Sequence, residues 1–343
     1  MKTRLVTDKI WRLRATGLLL GLSALLVNCQ KSGDSDSAID PDSTGVSVTP
    51  PQAVTASGTL TDIVQRTSHL SLLNMALTRA GLTDKLKTGS LTLFAPNDAA
   101  FRAAGYSSKA SLDSLATADL QRLLQYHVLD SRLSASALPV NVPTSVQTAL
   151  VTATVSLFKA ADGKLYANAG RVVQPDIGAD KSVMYVIDRL LTVPTQTTVE
   201  VIRTTTNLSM FRLAVERVGA GITNTLLSPT DRGITVFAPS NKAFQEAGFA
   251  NEDAILAADI NRLTEILRYH VVTSRAFSPT LRSGDVSTAQ GTPITVAINA
   301  KGTTVTGKGN PTVAGIVLKT DLITTNGVVH IIDRVLLPTP VAQ

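Results

Sequence analysis

The feature that most constrains this chain is an internal repeat. The segment TLFAPNDAAF at residues 92–101 recurs as TVFAPSNKAF at residues 235–244, and LQYHV at residues 124–128 recurs as LRYHV at residues 267–271. Both pairs are 143 residues apart. Solenoid repeats have periods of roughly 20–50 residues, so a period this long indicates two homologous domains rather than a stacked array.

The repeat extends in both directions, with small changes of spacing. VIDRL at residues 186–190 recurs as IIDRV at residues 331–335, which is 145 residues later. Upstream, Leu70-Ser71 corresponds to Leu208-Ser209 at an offset of 138 residues, so the second copy has about five extra residues near Ala220–Arg232. The chain of 343 residues is long enough for two domains of ~150 residues each.

The repeated segment predicts a strand, a turn and a short helix. The run Leu91–Phe94 is rich in strand formers, and Pro96 stops it because proline lacks the N–H that a sheet needs. Asn97 or Asp98 offers a side-chain oxygen as the N-cap of a helix that ends before Gly105. The same arrangement is expected in the second copy.

A second helix and a set of strands complete each copy. Leu120, Leu124 and Val128 follow helical spacing, which predicts a helix over about Thr117–Val128. The last third of each copy alternates in the manner of strands. Those strands are predicted at Val151–Phe158, Lys164–Ala167, Met184–Leu190, Ile294–Ile298, Thr303–Thr306, Gly315–Leu318 and Val328–Val335.

The last hairpin distinguishes the two copies. Asn326-Gly327 is a strong turn signal between the final two strands of the second copy. The first copy has Lys181-Ser182 at this place, and it has Tyr185 where the second copy has His330. We therefore expect the two hairpins to turn differently.

The order and spacing of these motifs resemble the fasciclin (FAS1) family. The resemblance is carried by TLFAPNDAAF and TVFAPSNKAF, by QYHV and RYHV, and by TNGVVHIIDRVLLP near the end of the sequence. It implies an α+β fold with two tandem fasciclin-like domains, each a β-sandwich or wedge with packed helices. We expect the first domain at residues 55–195 and the second at residues 196–340.

The first 28 residues are typical of a secretory signal. A basic stretch from Met1 to Arg14 precedes the apolar run Ala15–Val27, which is too short to span a membrane. Cys29 follows it and resembles the acylated cysteine of a bacterial lipoprotein, of the Bacteroidetes type. Residues 29–54 are rich in Ser, Asp and Pro and predict a flexible polar tether. These features predict an outer-membrane lipoprotein that is exposed at the cell surface and contacts the membrane through its lipid anchor.

Composition argues against several classes of site and partner. One Cys and four His leave no disulfide framework and no multi-cysteine metal site, so we expect no metal and no cofactor. The formal net charge is +6, but much of it lies in the signal segment and no Lys/Arg cluster follows, which argues against nucleic acid as a partner. An aromatic content of 4% also disfavours a base-stacking surface.

The two Tyr-His pairs are the most conspicuous candidate site residues. His127 lies on the apolar face of its predicted helix, and His270 occupies the same place in the second copy. A histidine on an apolar face is most often a core residue whose ring nitrogens are hydrogen-bonded. We expect a mainly structural role for Tyr126, His127, Tyr269 and His270, while the family resemblance allows a contribution to adhesion.

Asp188 and Asp333 occupy equivalent positions in the two copies, and we expect them to be buried or partly buried structural residues at a strand. Catalysis would need a second carboxylate or an oriented base nearby, and neither copy offers one in sequence. The sequence has no nucleophile-elbow, zinc-protease, P-loop or dinucleotide motif. We therefore expect no catalytic residues and no enzyme activity.

These observations favour a surface-anchored, non-enzymatic lipoprotein that presents two fasciclin-like domains to protein or glycan ligands in adhesion. An accessory ligand-binding component of an outer-membrane polysaccharide uptake system is the main alternative. A hydrolase with a site between the domains and a purely structural envelope protein are further alternatives. Since a scaffold does not identify a partner, we expect ligand contacts on loops that differ between the copies, such as Arg132–Ser145 and Arg275–Ser287.

Overall fold

The computed structural model of the chain describes residues 55–227, 232–299, 302–312 and 314–338. The predicted signal segment, Cys29 and the predicted tether lie outside these residues. The described chain forms two successive domains whose helices and strands follow each other in closely corresponding order, as the repeat predicts. Both domains mix helices with a sheet, which confirms the α+β class.

The described part of the first domain contains five α-helices, eight strands and three single-turn 3-10 helices. The α-helices are α1 (Leu60–Arg66), α2 (Ser71–Ala80), α3 (Asp98–Ala103), α4 (Lys109–Asp113) and α5 (Thr117–Tyr126). The strands are β1 (Thr55–Ala56), β2 (Thr92–Pro96), β3 (Val128–Leu129), β4 (Thr144–Gln147), β5 (Thr154–Lys159), β6 (Leu165–Ala167), β7 (Gly170–Ala179) and β8 (Ser182–Ile187). The 3-10 helices span Ser68–Leu70, Lys85–Lys87 and Ala135–Ala137.

The described part of the second domain contains six α-helices, seven strands and two 3-10 helices. The α-helices are α6 (Thr198–Thr204), α7 (Ser209–Val218), α8 (Ala220–Leu227), α9 (Asn241–Glu246), α10 (Glu252–Ala257) and α11 (Ile260–Tyr269). The strands are β9 (Ile234–Pro239), β10 (Val271–Val272), β11 (Gly284–Ser287), β12 (Pro293–Asn299), β13 (Gly302–Thr306), β14 (Gly315–Ile323) and β15 (Gly327–Ile332). The 3-10 helices span Thr206–Leu208 and Ser278–Thr280.

The two sheets have the same strand order. The first runs β3-β2-β8-β7-β6-β5-β4, and the second runs β10-β9-β15-β14-β13-β12-β11. In each sheet the strand of the repeated TLFAP or TVFAP segment pairs in parallel with the last strand of the domain, while its other neighbours along the path are antiparallel. In the first domain β1 adds to the sheet by pairing in parallel with β7. Each copy therefore pairs a strand from its first half with its last strand.

A long, bulged strand lets each sheet fold back on itself. β7 shifts register twice against β8, and β14 does the same against β15. The two ends of the strand order then come together. In the first domain the Ala149 N–H, just after β4, donates to the Val128 carbonyl of β3 at 2.7 Å. The Ala289 N–H donates to the Val271 carbonyl at 2.7 Å in the second. Each sheet is thus nearly closed around an apolar interior, consistent with the sandwich or wedge that the resemblance implies.

Successive side chains of β2 point to opposite faces of the sheet and pack into two different apolar cores. Leu93 and Ala95 contribute to the core between the helices and the sheet, whereas Phe94 contributes to the core inside the curved sheet. All five residues of β2 are buried, so the strand reads as a continuous apolar run. β9 repeats the arrangement in the second domain, with Val236 and Ala238 on the helix side and Phe237 inside.

The polar residues after β2 cap two helices rather than one. Asn97 is the N-cap of α3 and accepts from the Ala100 N–H at 2.8 Å. Asp98 instead caps the first turn of α2, because its carboxylate accepts from the Leu72 N–H at 2.9 Å and from the Ser71 hydroxyl at 2.8 Å. The sequence left Asn97 and Asp98 open as alternative caps, and the structure gives each of them a helix.

Several predicted boundaries are wrong by a few residues. α5 ends at Tyr126 instead of Val128, because His127 is its C-cap and Val128 begins β3 by pairing with Leu93. β5 begins at Thr154 rather than Val151. β8 and β15 end at Ile187 and Ile332, three residues before the predicted ends, since the next residue in each case turns its side chain to the neighbouring strand.

The two copies differ where the sequence predicts a difference. The extra residues of the second copy lie in the region of α8, which places Ile222 and Leu226 in the helix-side core. The last hairpin of the first domain turns through Asp180 and Lys181, since Ala179 pairs with Ser182. That of the second domain is longer, with Ile323 paired to Val328. The different turns are therefore confirmed.

Candidate functional site

The Tyr-His motif lies at the junction of α5 with the sheet. The His127 ring is fully buried, and its Nδ1 lies 2.8 Å from the Leu123 carbonyl oxygen. Because a carbonyl can only accept, Nδ1 carries the proton, which leaves Nε2 to accept from the Leu191 N–H at 2.9 Å. The His127 backbone carbonyl also accepts from the Phe94 N–H at 2.9 Å. One residue thus joins a helix, a central strand and the segment after β8.

The second domain repeats this junction around His270. Its Nδ1 lies 2.8 Å from the Ile266 carbonyl, and its Nε2 accepts from the Leu336 N–H at 2.8 Å. The His270 backbone carbonyl accepts from the Phe237 N–H at 2.9 Å. Burial lowers the pKa of both histidines to about 4, against a smaller opposing effect of the helix carbonyl, so both rings are neutral near pH 7.

The motif tyrosines extend the junction into the interior of the curved sheet. The Tyr126 hydroxyl donates to the Thr154 carbonyl at 3.0 Å and accepts from the Asn168 side-chain amide at 2.9 Å. The Tyr269 hydroxyl donates to the Pro293 carbonyl at 2.8 Å and accepts from the Lys308 N–H at 3.0 Å. Burial raises the pKa of both phenols, so they remain protonated hydrogen-bond donors.

A second repeated cluster surrounds Tyr185 and His330, which occupy the same position in the two sheets. Tyr185 stacks on Phe94 at 5.7 Å between ring centroids, and His330 stacks on Phe237 at 5.4 Å. The Tyr185 hydroxyl donates to the Asp176 carboxylate at 2.7 Å. The two rings differ chemically, but they fill the same place between the two halves of the curved sheet.

Asp176 and Asp321 hold the bulges of β7 and β14, and sequence reasoning missed both. Their φ angles are 47° and 61°, in the left-handed region that aspartate tolerates better than most residues. The Asp176 carboxylate accepts from the Ala135 N–H at 3.2 Å, and the Asp321 carboxylate accepts from the Ser278 N–H at 2.7 Å. An aspartate at the same place in both copies, 145 residues apart, was the available signal.

Asp188 and Asp333 follow β8 and β15 and form the same contact in both domains. The Asp188 carboxylate accepts from the Arg171 N–H at 2.8 Å, and the Asp333 carboxylate accepts from the Ile316 N–H at 2.6 Å. The expected burial is wrong for Asp188, which is exposed, because the strand has ended and the residue lies at the sheet surface. Asp333 is half-buried.

The loops that differ between the copies meet at a cleft between the two domains. The interdomain cleft has a volume of about 280 Å³ and is lined by Asn141, Pro143 and Phe158 of the first domain and by a longer stretch of the second, including Arg275 and Arg282. Both loops singled out in the sequence, Arg132–Ser145 and Arg275–Ser287, contribute to its lining. The cleft is therefore a site that neither domain forms alone.

The described residues contain no group of three or more His, Cys, Asp or Glu side chains placed to hold a metal ion. Over the same residues, no helix combines the length and the apolar character that crossing a lipid bilayer requires.

Comparison with known proteins bears on both domains. The family model described as "Fasciclin domain" matches residues 68–194 and 206–338. Transforming growth factor-beta-induced protein ig-h3 of Sus scrofa is 28% identical over 262 residues, covering 75% of this chain and 36% of the relative. Human periostin is 27% identical over 262 residues, covering 74% of this chain and 29% of the relative. The aligned part of this chain thus corresponds to about a third of the length of these curated relatives.

A bacterial relative and a solved structure are also similar to parts of the chain. The cell surface glycolipoprotein MPB83 of Mycobacterium bovis is 36% identical over 104 residues, covering 30% of this chain and 43% of the relative. A solved FAS1 domain pair from the insect cell adhesion molecule Fasciclin I covers 78% of this chain and 95% of its own, at 19% identity and a TM-score of 0.38.

Proposed function

The chain belongs to the fasciclin domain family, and on this premise we propose that it is a non-enzymatic adhesion protein of the cell surface that binds extracellular protein or glycan ligands. The observation that carries the proposal is the presence of two fasciclin domains in one chain. The name of one relative supports it, since that relative is a cell surface glycolipoprotein.

The contacts of the motif side chains argue against a catalytic role for these residues. Both ring nitrogens of His127 and of His270 are occupied by backbone groups. The carboxylates of Asp188 and Asp333 accept from backbone N–H groups of the neighbouring strand. General acid–base chemistry needs such a group within reach of a substrate proton, with a pKa near the working pH. These residues instead stabilise the fold. We therefore assign ligand contact to the loops Arg132–Ser145 and Arg275–Ser287.

Anchoring through Cys29 completes the proposal. The first 28 residues would direct export, Cys29 would receive the lipid, and residues 29–54 would act as the tether. Two or more acyl chains give stable membrane attachment. The name of the mycobacterial relative supports a lipid-linked surface protein of this family.

Adhesion and anchoring are tested together in cells that express the full chain. Wild-type cells should adhere to a protein- or glycan-coated surface, and cells without the protein should not. The Cys29→Ser chain should move from the membrane fraction to the soluble fraction, with Ser23→Ala as a substitution in the same segment that should leave attachment intact. Equal adhesion with and without the protein would refute the binding role, and membrane retention of the Cys29→Ser chain would refute the anchor.

A further inference from the structure

Arg275 is a buried arginine without a carboxylate partner in the described structure. It is 8% exposed, and its Nε is buried without a hydrogen-bond acceptor. Its Nη2 donates to the Thr325 carbonyl at a long 3.4 Å, and no ion pair joins the guanidinium to any described acidic side chain. A guanidinium carries five N–H donors, and burying them without acceptors costs free energy.

Its counterpart in the first domain does not share this environment. Arg132 lies 143 residues earlier, at the same place in the repeat, and it is exposed. Its Nη1 donates to the Ser182 carbonyl at 2.8 Å. Tyr126 of the first domain lies close enough to Arg275 to affect its pKa, which burial lowers. Arg275 is thus buried near the first domain, beside a cleft that both domains line, whereas the equivalent Arg132 is exposed.

Gly233 lets the backbone approach this guanidinium closely. Its φ is 63°, and a Cβ at this position would lie 2.9 Å from the Arg275 Nε. The backbone N–H of Arg275 donates to the Arg232 carbonyl at 2.8 Å, which brings the two segments together. The side chain is thus held against the backbone at one edge of the interdomain cleft, whose lining includes it.

The other charges of the cleft leave it positive. Arg282 is exposed and lies over the Phe158 ring of the first domain, 5.3 Å from its centroid. The acid of the lining, Asp285, is occupied by Lys308 at 3.1 Å and by the Thr295 hydroxyl at 2.6 Å. Two arginines therefore line a small cleft whose one lining carboxylate already has a cationic partner.

We propose that the interdomain cleft binds a uronic acid residue of a glycan, with the sugar carboxylate on Arg275. The planar guanidinium fits a carboxylate through paired N–H···O bonds. Asn141, Ser274 and Ser283 add uncharged hydrogen-bonding groups to the lining, suited to ring hydroxyls. A volume of about 280 Å³ lies near the low end for ligand pockets, which suits one sugar unit. This inference rests on the proposed binding function and names its ligand.

The test is calorimetric titration of the full chain, purified in detergent, with D-glucuronate as the probe. Wild-type chain should bind glucuronate and should not bind D-glucose, which has the same ring without the carboxylate. Arg275→Met should weaken binding at least tenfold, and Arg275→Lys should weaken it by a similar factor because the ammonium lacks the planar fork. Arg132→Met, the matched change in the first domain, should leave the affinity within twofold of wild type.

Two further measurements separate this role from a structural one. Without ligand, Arg275→Met should unfold at the same temperature as wild type or a higher one, since it removes a buried cation; a structural arginine would give a lower temperature. Asp231→Asn should not change the affinity. Asp231 precedes Arg232 in the sequence and lies outside the described residues. A tenfold gain in glucuronate affinity in the Asp231→Asn chain would overturn the proposal, because it would identify Asp231 as an internal partner of Arg275.

The remaining outcomes also decide the matter. Equal affinities of the Arg275→Met and Arg132→Met chains for glucuronate, or binding of an acidic peptide more tightly than glucuronate, would overturn the proposal. Adhesion that depends on the protein while glucuronate fails to bind would overturn this inference and leave the adhesion proposal standing. Loss of adhesion itself would refute the binding role on which both rest.

Discussion

At the scale of single residues, the motif histidines act through their two hydrogen bonds. Nδ1 of His127 donates to a helix carbonyl, and Nε2 accepts from the segment after β8. These bonds need a neutral ring with a defined tautomer, which burial favours by lowering the pKa. The spacing in the sequence indicated an apolar helix face, but it did not reveal that the residue ends the helix.

We expect His127→Phe to destabilise the first domain by about 1–3 kcal/mol, because the Leu191 N–H loses its acceptor in a buried place while the ring volume is kept. Urea denaturation at neutral pH measures the loss. His69→Phe is the control, since His69 is exposed, and it should be close to neutral. An equal effect of both substitutions would contradict the role assigned to His127.

The same histidines make stability depend on pH. Their pKa in the folded protein is about 4, below the ordinary value of 6.5, so the unfolded chain binds protons more readily between these values. Their contribution to the free energy of unfolding is fully present above pH 6.5. It is lost as the pH falls toward 4, by about 3 kcal/mol for each histidine. Urea denaturation along this pH range should show the decline, and His127→Phe should make it shallower. An unchanged slope would contradict the assignment.

At the scale of elements, the last hairpin of the second domain is built around two residues with separate tasks. The Asn326 side chain donates to the Leu226 carbonyl at the end of α8 and accepts from the Thr198 N–H at the start of α6, at 2.6 and 3.0 Å. Gly327 has no room for a side chain, because a Cβ would lie 2.4 Å from the Ile234 carbonyl oxygen. The Asn-Gly pair predicts a turn in sequence, yet close packing and helix capping are what this structure requires of it.

We expect Gly327→Ala to destabilise the second domain by about 1–3 kcal/mol or more, because β9 must move to accommodate the methyl group. Chemical denaturation followed by circular dichroism of the backbone measures the loss of stability. Gly221→Ala in α8 is the control, because a Cβ at that position would meet the side chains of Val218 and Thr264, with the nearest atom at 3.3 Å. Equal effects of the two substitutions would show that the close contact at Gly327 is not limiting.

At the scale of the whole described molecule, the two domains share an apolar contact. Ala169 of the first domain is buried in one cluster with Phe277 and Val328 of the second. Arg189 of the first domain lies 3.9 Å from the Asp321 carboxylate of the second. Apolar burial between two folded units couples their unfolding, so we expect wild-type chain to unfold in a single transition.

We expect Ala169→Lys to uncouple the domains, because a lysine there would bury its charge against Phe277 and Val328 or force the domains apart. Scanning calorimetry should then resolve two transitions. Ala314→Lys is the matched control, because Ala314 occupies the same place in the second domain and is exposed. Single transitions in both variants would contradict a stabilising contact between the domains.

The sequence by itself determined the elements that depend on local chemistry and on the repeat. The duplicated motifs predicted two α+β domains, Pro96 and the polar residues after it predicted the end of a strand and the start of a helix, and the extra residues near 220–232 predicted a difference between the copies. These features follow from neighbours in the chain, since capping, turn chemistry and periodicity act over a few residues.

Only the tertiary structure decided how residues at equivalent positions differ. Arg132 and Arg275, Ala169 and Ala314, and Asp188 and Asp333 are repeated in sequence, yet burial differs within each pair. Burial depends on which distant segment packs against a residue, and no local pattern encodes that. The second domain covers Ala169, while Ala314 has no such cover in the described chain. The interdomain cleft and its buried arginine arise for the same reason, from the packing of one copy on the other.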